Sequence, residues 1–438
     1  MPEPQAAYLH AILRAALAAA DARQAVRQAL HLEDATLRVN RQTRLPLDAV
    51  HRVLLLAAGK AAPAMALGAR DVLGERITRG VLVTVDATAA EPLPSVDLWR
   101  AGHPLPDARG LAAAGEALHL ARQAGEDDLL LCLLSGGASA LWPAPPPGVP
   151  LGELRRLTRA LLRAGVPIAE LNTVRKHLSR LAGGQLARVA APARLLALVV
   201  SDVVGSAPEA IASGPTVPDP TTYADALAVL ARYGVEPPPA VRAHLQAGAA
   251  GALPETPKPG DLAFARTATH VVLCNRDALQ AAAQAAAGLG YAPRIVGDTL
   301  QGEARDAARE IVQAAREARD AGERAALLWG GETTVTVRGG GTGGRSQELA
   351  LAAALLLDGE PGIALAAFGT DGRDGPTDAA GAIVDGRTLA RARELGLDAE
   401  AALRRNDAYP LLDRAGALLR TGPTGTNVND VLVVVVES

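Results

Sequence analysis

Along this chain, short apolar runs alternate with longer stretches of mixed apolar and polar positions, a pattern that predicts strands separated by helices. VLLLAAGK (53–60), GVLVTVDA (80–87), DDLLLCLLSGGASAL (127–141) and LLALVVSDVVGS (195–206) each hold a strand-length apolar core ending in small or polar residues. Between them fall AAPAMALGARDVLG, residues 111–124 and several helical stretches over 151–189. Crossovers of that length imply βαβ units and a largely parallel sheet. The N-terminal run AAYLHAILRAALAAADARQ, broken by His10, Arg14 and Asp21, reads as an amphipathic helix.

In the second half, HVVLCN (270–275) reads as a strand, followed by an Ala-rich helix, YAPRIV (291–296) and a charged helix over 302–321. AALLWGGE (325–332) and TTVTVRG (333–339) follow each other so closely that they predict an adjacent antiparallel pair. GIALAAFGTDG and VLVVVV (431–436) supply further strands. The pattern fades at VEPPPAVRAH (235–244) and in the Pro/Gly-rich AGAAGALPETPKPGD (247–261). That break separates an N-terminal α/β domain, 1–253, from a C-terminal α/β domain, 262–438. At 438 residues, two domains are also what chain length predicts.

Composition narrows the function. The chain is 49% hydrophobic but only 2% aromatic, and its net charge is −3. No electrostatic footprint for nucleic acid is present, and no apolar run is long enough to span a membrane. The N-terminal helix makes a poor signal peptide, so the expected location is cytoplasmic. Cys132 and Cys274, both in apolar strand-like runs, read as reduced thiols. The basic residues are nearly all arginine, and Lys60, Lys176 and Lys258 are the three lysines.

Candidate chemistry concentrates in turns. Gly339, Gly340, Gly341, Gly343 and Gly344, with Arg345, precede the apolar helix 347–357, where main-chain amides and the helix dipole favour an anion. GTDGRDGPTDAAGA then offers Asp371, Asp374 and Asp378 as hard oxygen ligands for Mg2+. The spacing Gly339-x-Gly341-x-x-Gly344 also satisfies a dinucleotide fingerprint, but the preceding segment alternates Thr and Val and no suitably placed acid follows.

Ser135, Gly136, Gly137 and Ser139 sit where a buried strand ends, a position that serves equally for ligand binding or for a tight packing turn. Lys60 follows the first strand, either as an ordinary surface lysine at a loop start or, lysine being scarce elsewhere in the chain, as a compact charge aimed out of the carboxyl edge. Asp202, Ser213, Gly214 and Thr216 lie in a turn-rich segment, 201–222, whose length favours a binding role over a plain connection. In NTVRKHLSR (172–180), helical spacing puts Asn172, Lys176 and Arg180 on one face and Arg175 with Ser179 on another. A solvated basic face competes there with a binding role, and His177 is a weak candidate base. TGPTGTNVNDVLVVVV (421–436) adds Thr424, Thr426, Asn427, Asn429 and Asp430 ahead of the last strand, as caps or as polar lining.

Taken in order, AAGKAA, AGHPLPD, LSGGASAL, NTVRKHLS, SDVVG…IASGPTVPDPTT, GGETTVTV…GGGTGGRSQELALA, GTDGRDGPTDAAGA and TGPTGTNVND resemble the class II glycerate kinases, whose C-terminal half is a MOFRL domain. The resemblance spans nearly the whole chain. It implies a Rossmann-like parallel αβα sheet followed by a mixed-sheet α/β domain, with a cleft between them. It also implies ATP- and Mg2+-dependent phosphorylation of D-glycerate, usually to 2-phosphoglycerate, and carries the central residues over to Lys60 and Arg345. Asp202 is the candidate for orienting the attacking hydroxyl. The metal candidates are Asp202, Asp371 and Asp374. The nucleotide candidates are Ser135, Gly136, Gly137, Ser139, Ser213, Gly214, Thr216, Gly341, Gly343, Gly344 and Asp371. Relatives often carry the label hydroxypyruvate reductase, so an NAD(P)H-dependent reductase is the alternative, and a noncatalytic sensor a third reading. Whether two copies pair is left open. The chain departs from the family pattern at Gly205-Ser206, where relatives have Gly-Asp, and at Ala182-Gly183-Gly184, where many have Lys-Gly-Gly.

Overall fold

The computed structural model describes residues 3–40, 43–85, 93–203, 205 and 207–437. The chain forms two compact units, Ala22–Val272 and a second that joins Met1–Asp21 to Leu273–Ser438. The strands of the first unit are β1 (Leu30–Glu33), β2 (Thr36–Val39), β3 (Thr43–Pro46), β4 (Arg52–Ala58), β5 (Ile77–Thr84), β6 (Val96–Arg100), β7 (Asp128–Leu134), β8 (Arg194–Val200) and β9 (Thr267–Leu273). Those of the second are β10 (Ala292–Leu300), β11 (Ala325–Gly331), β12 (Ile363–Gly369), β13 (Gly381–Asp385), β14 (Leu418–Leu419) and β15 (Asp430–Val436).

Strands β1 to β3 form a small antiparallel sheet. The main sheet of this unit has the order β6-β5-β4-β7-β8-β9, and the pairings from β6 through β8 are parallel. The chain therefore starts in the middle at β4, winds outward to β6, then returns to the far side of β4 with β7. At that reversal the connections leave β4 and β7 in opposite directions, and a crevice opens at their carboxyl ends. Leu54, Leu56 and Ala58 pack with Ala113, Ala117 and Leu118 of helix Ala108–Gln123. Leu55 and Ala57, which point the other way, are equally buried. An uninterrupted apolar run is what a strand covered on both faces requires.

The second unit holds a mixed sheet, β10-β11-β15-β12-β13-β14, in which only β10 and β11 run parallel. One face, with Leu327, Leu365, Leu432 and Val434, packs on helices Ala304–Asp320 and Arg345–Leu356. The other is covered by helix Asn275–Gly288 and helix Glu3–Ala19. Among the described residues no helix is long and apolar enough to cross a membrane.

Two segments fall outside the expected 1–253 and 262–438 division. Helix Glu3–Ala19 buries Leu9, Ile12 and Leu13 in the C-terminal unit, where the apolar run 431–436 of β15 needs cover on both faces. Thr267–Leu273 adds β9 to the edge of the N-terminal sheet beside β8. The Pro/Gly-rich stretch before it therefore lies inside the first unit, with Thr256 buried against Asp219. The expected strand over 333–339 is a loop. Its polar backbone is claimed by side chains: Thr336 N bonds Glu303, and Arg338 N and Gly339 N donate to Asn406 Oδ1 at 2.7 and 3.1 Å. Val337 is accordingly 73% exposed, which a paired strand facing a core would not allow.

Candidate functional site

At the reversal point of the parallel sheet, the turns after β4 and β7 interlock. Ser135 N donates to Ala58 O at 3.0 Å, Lys60 N to Gly136 O at 2.9 Å, and Ala61 N to Ser135 Oγ at 3.0 Å. Gly136 lies so close to the end of β8 that a Cβ there would fall 1.7 Å from Asp202 Oδ2. Gly137, at φ +89°, would carry a Cβ 3.4 Å from His103 Nε2 and 3.6 Å from Lys60 Cγ. Lys60, the Ser135–Gly137 turn, Asp202 and His103 therefore gather at the carboxyl edge of β4, β7 and β8. Burial, followed by the charges of Lys60 and Arg175, holds His103 below the usual imidazole pKa, so the ring is neutral near neutral pH.

Beside this edge lies a small cavity of about 40 Å³, lined by Pro104, Ser139, Trp142, Thr158, Arg175, Ser179 and Ser213, with Ala182 on its wall. Ser139 Oγ and Ser213 Oγ are 2.9 Å apart, and Ser213 Oγ donates to Asn172 Oδ1 at 2.9 Å. Ala212 and Ser213 hold φ of +53° and +59°, an uncommon pair of left-handed residues that turns the serine inward. Gly183 N and Gly184 N brace the loop through Ser213 O and Gly214 O at 2.9 and 2.7 Å. Gly214 and Thr216 thus stand behind the site. Thr216 is buried with its hydroxyl 2.9 Å from Thr269 Oγ1 in β9, so it does not line the cavity as expected. Ser206 lies outside the described residues.

The basic segment NTVRKHLSR splits by role. Arg175 and Ser179 face the cavity. Lys176 is buried 3.3 Å from Asp219, a carboxylate also bonded by Thr221 and Thr256. His177 is buried, donates Nδ1–H to Thr173 O at 2.8 Å and meets the Tyr223 ring edge-on at 4.8 Å. Its Nε2 lies 3.3 Å from Glu255 and 3.8 Å from Asp219, away from the residues that line the cavity.

The glycine-rich loop of the C-terminal unit differs from the anion cradle expected there. Gly341 N donates to Arg405 O and Thr342 N to Asp407 Oδ1. A Cβ at Gly339 or Gly341 would collide with the backbone of Arg405 or Asp407. The glycines let two loops touch. The N-terminus of helix Arg345–Leu356 already holds an anion of the protein's own: Ser346 N and Gln347 N donate to the two carboxylate oxygens of Asp374 at 3.1 and 2.8 Å. Asp374 is therefore a buried helix cap, with each carboxylate oxygen taken by a main-chain amide. Burial raises its pKa, and the Gln347 and Ser346 amides oppose that.

Arg345 is closed too. Nε and Nη2 fork onto Asp430 at 2.6 and 2.9 Å, and Nη1 reaches Glu332 at 2.6 Å. Burial works against the charge on Arg345, but the Asp430 bond and the two carboxylates outweigh it and raise its pKa. Burial pushes Asp430 up to about 7, with the Arg345 fork holding it down. Asp371 lies two residues past the end of β12, where it accepts from Arg373 N at 3.0 Å. A Cβ on Gly369 would lie 3.5 Å from Asp371 Oδ1 and 3.4 Å from Asp430 Oδ1, so both carboxylates flank that glycine. Asp378 is spent at the surface on Tyr409 and Arg420. Thr424 caps Thr370 O, and Asn429 O accepts from Thr370 Oγ1. Among the described residues no group of three or more His, Cys, Asp or Glu could hold a metal ion. Cys132 and Cys274 are free thiols.

Sequence reasoning overlooked His103, although its motif AGHPLPD begins at the carboxyl end of β6, on the edge where such sheets bind ligands. The helical spacing that set Arg175 with Ser179 apart from Lys176 does match the structure, where Arg175 and Ser179 line the cavity and Lys176 is buried on Asp219.

Two family profiles match, "Domain of unknown function (DUF4147)" over residues 8–246 and "MOFRL family" over residues 325–430. A "D-glycerate 2-kinase" of Thermotoga maritima is 44% identical over 89% of this chain and 92% of its own. A "Putative hydroxypyruvate reductase" of Agrobacterium vitis is 41% identical over 88% of this chain and 87% of its own. The crystal structure of a glycerate kinase from Thermotoga maritima superposes with a TM-score of 0.87 at 41% identity, covering 99% of this chain and 100% of that one.

Proposed function

The chain belongs to the glycerate 2-kinase family with a C-terminal MOFRL domain, and we propose that it transfers the γ-phosphoryl group of ATP to D-glycerate, giving 2-phosphoglycerate in the presence of Mg2+. The observation that carries this reading is the gathering of Lys60, the Ser135–Gly137 turn, Asp202 and His103 at the reversal point of a parallel sheet.

Phosphoryl transfer asks little covalent work of a protein; positioning and charge neutralisation dominate. Lys60 supplies a compact positive charge at the crevice. Asp202, held against the Gly136 main chain, is the candidate for accepting a hydrogen bond from the attacking hydroxyl. His103, neutral at working pH, is free to accept or donate a hydrogen bond there without adding charge. The donor set suits a metal that arrives with the nucleotide, since Mg2+ is commonly held by substrate phosphates and one or two carboxylates. Asp202 is the carboxylate that would join it, and the ion would supply neutralisation of the phosphoryl oxygens. Asp371 is the C-terminal unit's candidate for the ribose or the metal.

The reductase reading loses its support at the glycines. A dinucleotide fingerprint needs a strand before it and open amides at the helix start, whereas here a loop precedes it and Asp374 fills the helix start. The test is an ADP-release assay on the purified chain with D-glycerate, with and without Mg2+, followed by phosphorus NMR of the product. ADP release that depends on glycerate and Mg2+ is the expected result. NADH oxidation with hydroxypyruvate and no ADP would overturn the reading.

A further inference from the structure

Arg175 is a charged side chain in an unusual position. It sits in the last turn of helix Ile168–Lys176 and is partly buried, and burial lowers its pKa. Among the described residues it makes no hydrogen bond and no ion pair, while almost every other burial of charge in this protein is paired, as at Lys176–Asp219 or Arg345–Asp430. Holding a guanidinium partly out of water without a counter-ion is unfavourable, and a ligand that supplies the missing charge relieves that cost.

The wall it lines is otherwise uncharged. Ser139, Ser213, Ser179 and Thr158 offer hydroxyls, and Trp142, Pro104 and Ala182 close the sides. Its volume of about 40 Å³ holds only a few water-sized groups, each needing ~10–15 Å³. That suits a small planar carboxylate. The cavity adjoins the crevice, because Pro104 follows His103, and Ser139 follows Gly137 by two residues.

Resting on the kinase reading above, we propose that Arg175, with Ser139 and Ser213, receives the carboxylate of glycerate and so sets specificity for a 2-hydroxy acid over a neutral polyol. A guanidinium presents a planar fork that matches a carboxylate at two points. Bound there, the substrate's carbon chain would extend from the cavity toward Lys60 and Asp202. The two serine hydroxyls, now bonded to each other, would turn one donor toward the incoming oxygen.

The experiment uses the full chain with Arg175→Met, which keeps the stem, and Arg175→Lys, which keeps the charge but loses the fork. Steady-state ADP release is measured with D-glycerate and ATP varied in turn, and with glycerol as the uncharged acceptor. The expected result is a glycerate KM raised roughly ten- to a hundredfold in Arg175→Met, a smaller rise in Arg175→Lys, an ATP KM unchanged, and a shrunken preference for glycerate over glycerol. An unchanged glycerate KM in both variants overturns the proposal. So does a rise confined to the ATP KM, which would assign the cavity to a phosphate. Should the wild-type chain release no ADP, the kinase reading fails first, and calorimetric titration with D-glycerate alone decides this one. Heat in the wild type that disappears in Arg175→Met supports it; equal heat, or none in the wild type, overturns it. Should Arg175→Met not fold, as read by its thermal transition, the glycerate KM of Arg175→Lys decides: a rise supports the proposal, and no change overturns it.

Discussion

Two glycine-containing turns in this protein look alike in sequence and differ in what their backbones are doing. After β7, Gly136 and Gly137 let Asp202, His103 and Lys60 approach one spot, and the neighbouring Arg175 has no counter-ion among the described residues. Before helix Arg345–Leu356, the denser run Gly339–Gly344 presses against Arg405 and Asp407, Asp374 fills the helix start, and Arg345 is clamped by Asp430 and Glu332. Glycine density marks close backbone approach; whether a ligand or the protein itself makes that approach depends on which polar groups already have partners. By that measure the second turn is committed to the protein's own contacts.

The contrast is sharpest in Lys60 and Arg345. Lys60→Ala should cut turnover by about 10²–10³-fold, the usual loss when an electrostatic stabiliser of a transition state is removed, with thermal unfolding nearly unchanged. Retained turnover would break the assignment of the N-terminal crevice. Arg345→Ala should instead act on folding. Truncating one partner of a buried hydrogen-bonded charge pair costs about 2–5 kcal/mol, and Asp430 is left with no counter-charge. Because burial raises the Asp430 pKa, the folded variant tolerates the protonated acid and not the carboxylate. Its stability deficit should therefore grow as pH rises through the neutral range. Denaturant unfolding at several pH values measures this, and a deficit independent of pH would sink the account of Asp430.

His103 gives a smaller effect of opposite sign. Its folded pKa is depressed, so the unfolded chain takes up a proton first as pH falls through the ordinary imidazole range, about 6.5. The wild-type chain should lose stability below that point, and His103→Asn should lose less. Melting temperatures of the two proteins across that range decide the matter; parallel curves would count against a depressed His103. The smallest effects belong to the dense glycine run. Gly340 has open space around it and Gly343 meets Ala408 only at 3.5 Å, so alanine at either should change activity and stability within about 0.5 kcal/mol. Alanine at Gly136 should cost far more, since its Cβ would collide with Asp202. If the run at 339–344 cradles phosphate after all, Gly343→Ala will abolish turnover.

Much of the architecture was legible along the chain. The strands β4, β5, β7, β8, β12 and β15 appear as apolar runs of the right length, because a strand covered on both faces tolerates few polar residues. The turn at 135–139, Lys60 and Asp202 could be picked out as polar or small residues at the ends of those runs. The segment 333–339 misled, since its alternating Thr and Val mimic a strand while its amides bond to Glu303 and Asn406. Partners that lie tens of residues away leave no local trace. For the same reason the acid at position 374 reads as a metal ligand until its two oxygens are found on the amides of residues 346 and 347.

What sequence alone determined here is the set of elements and the points where strands hand over to chemistry, because hydrophobic periodicity and turn composition are local properties. Tertiary structure decided which charges are spent and which remain available: Lys176 and Arg345 on buried carboxylates, Arg175 on none among the described residues. That distinction rests on contacts between segments far apart in the chain, and burial without a partner exists only once the fold has closed around it.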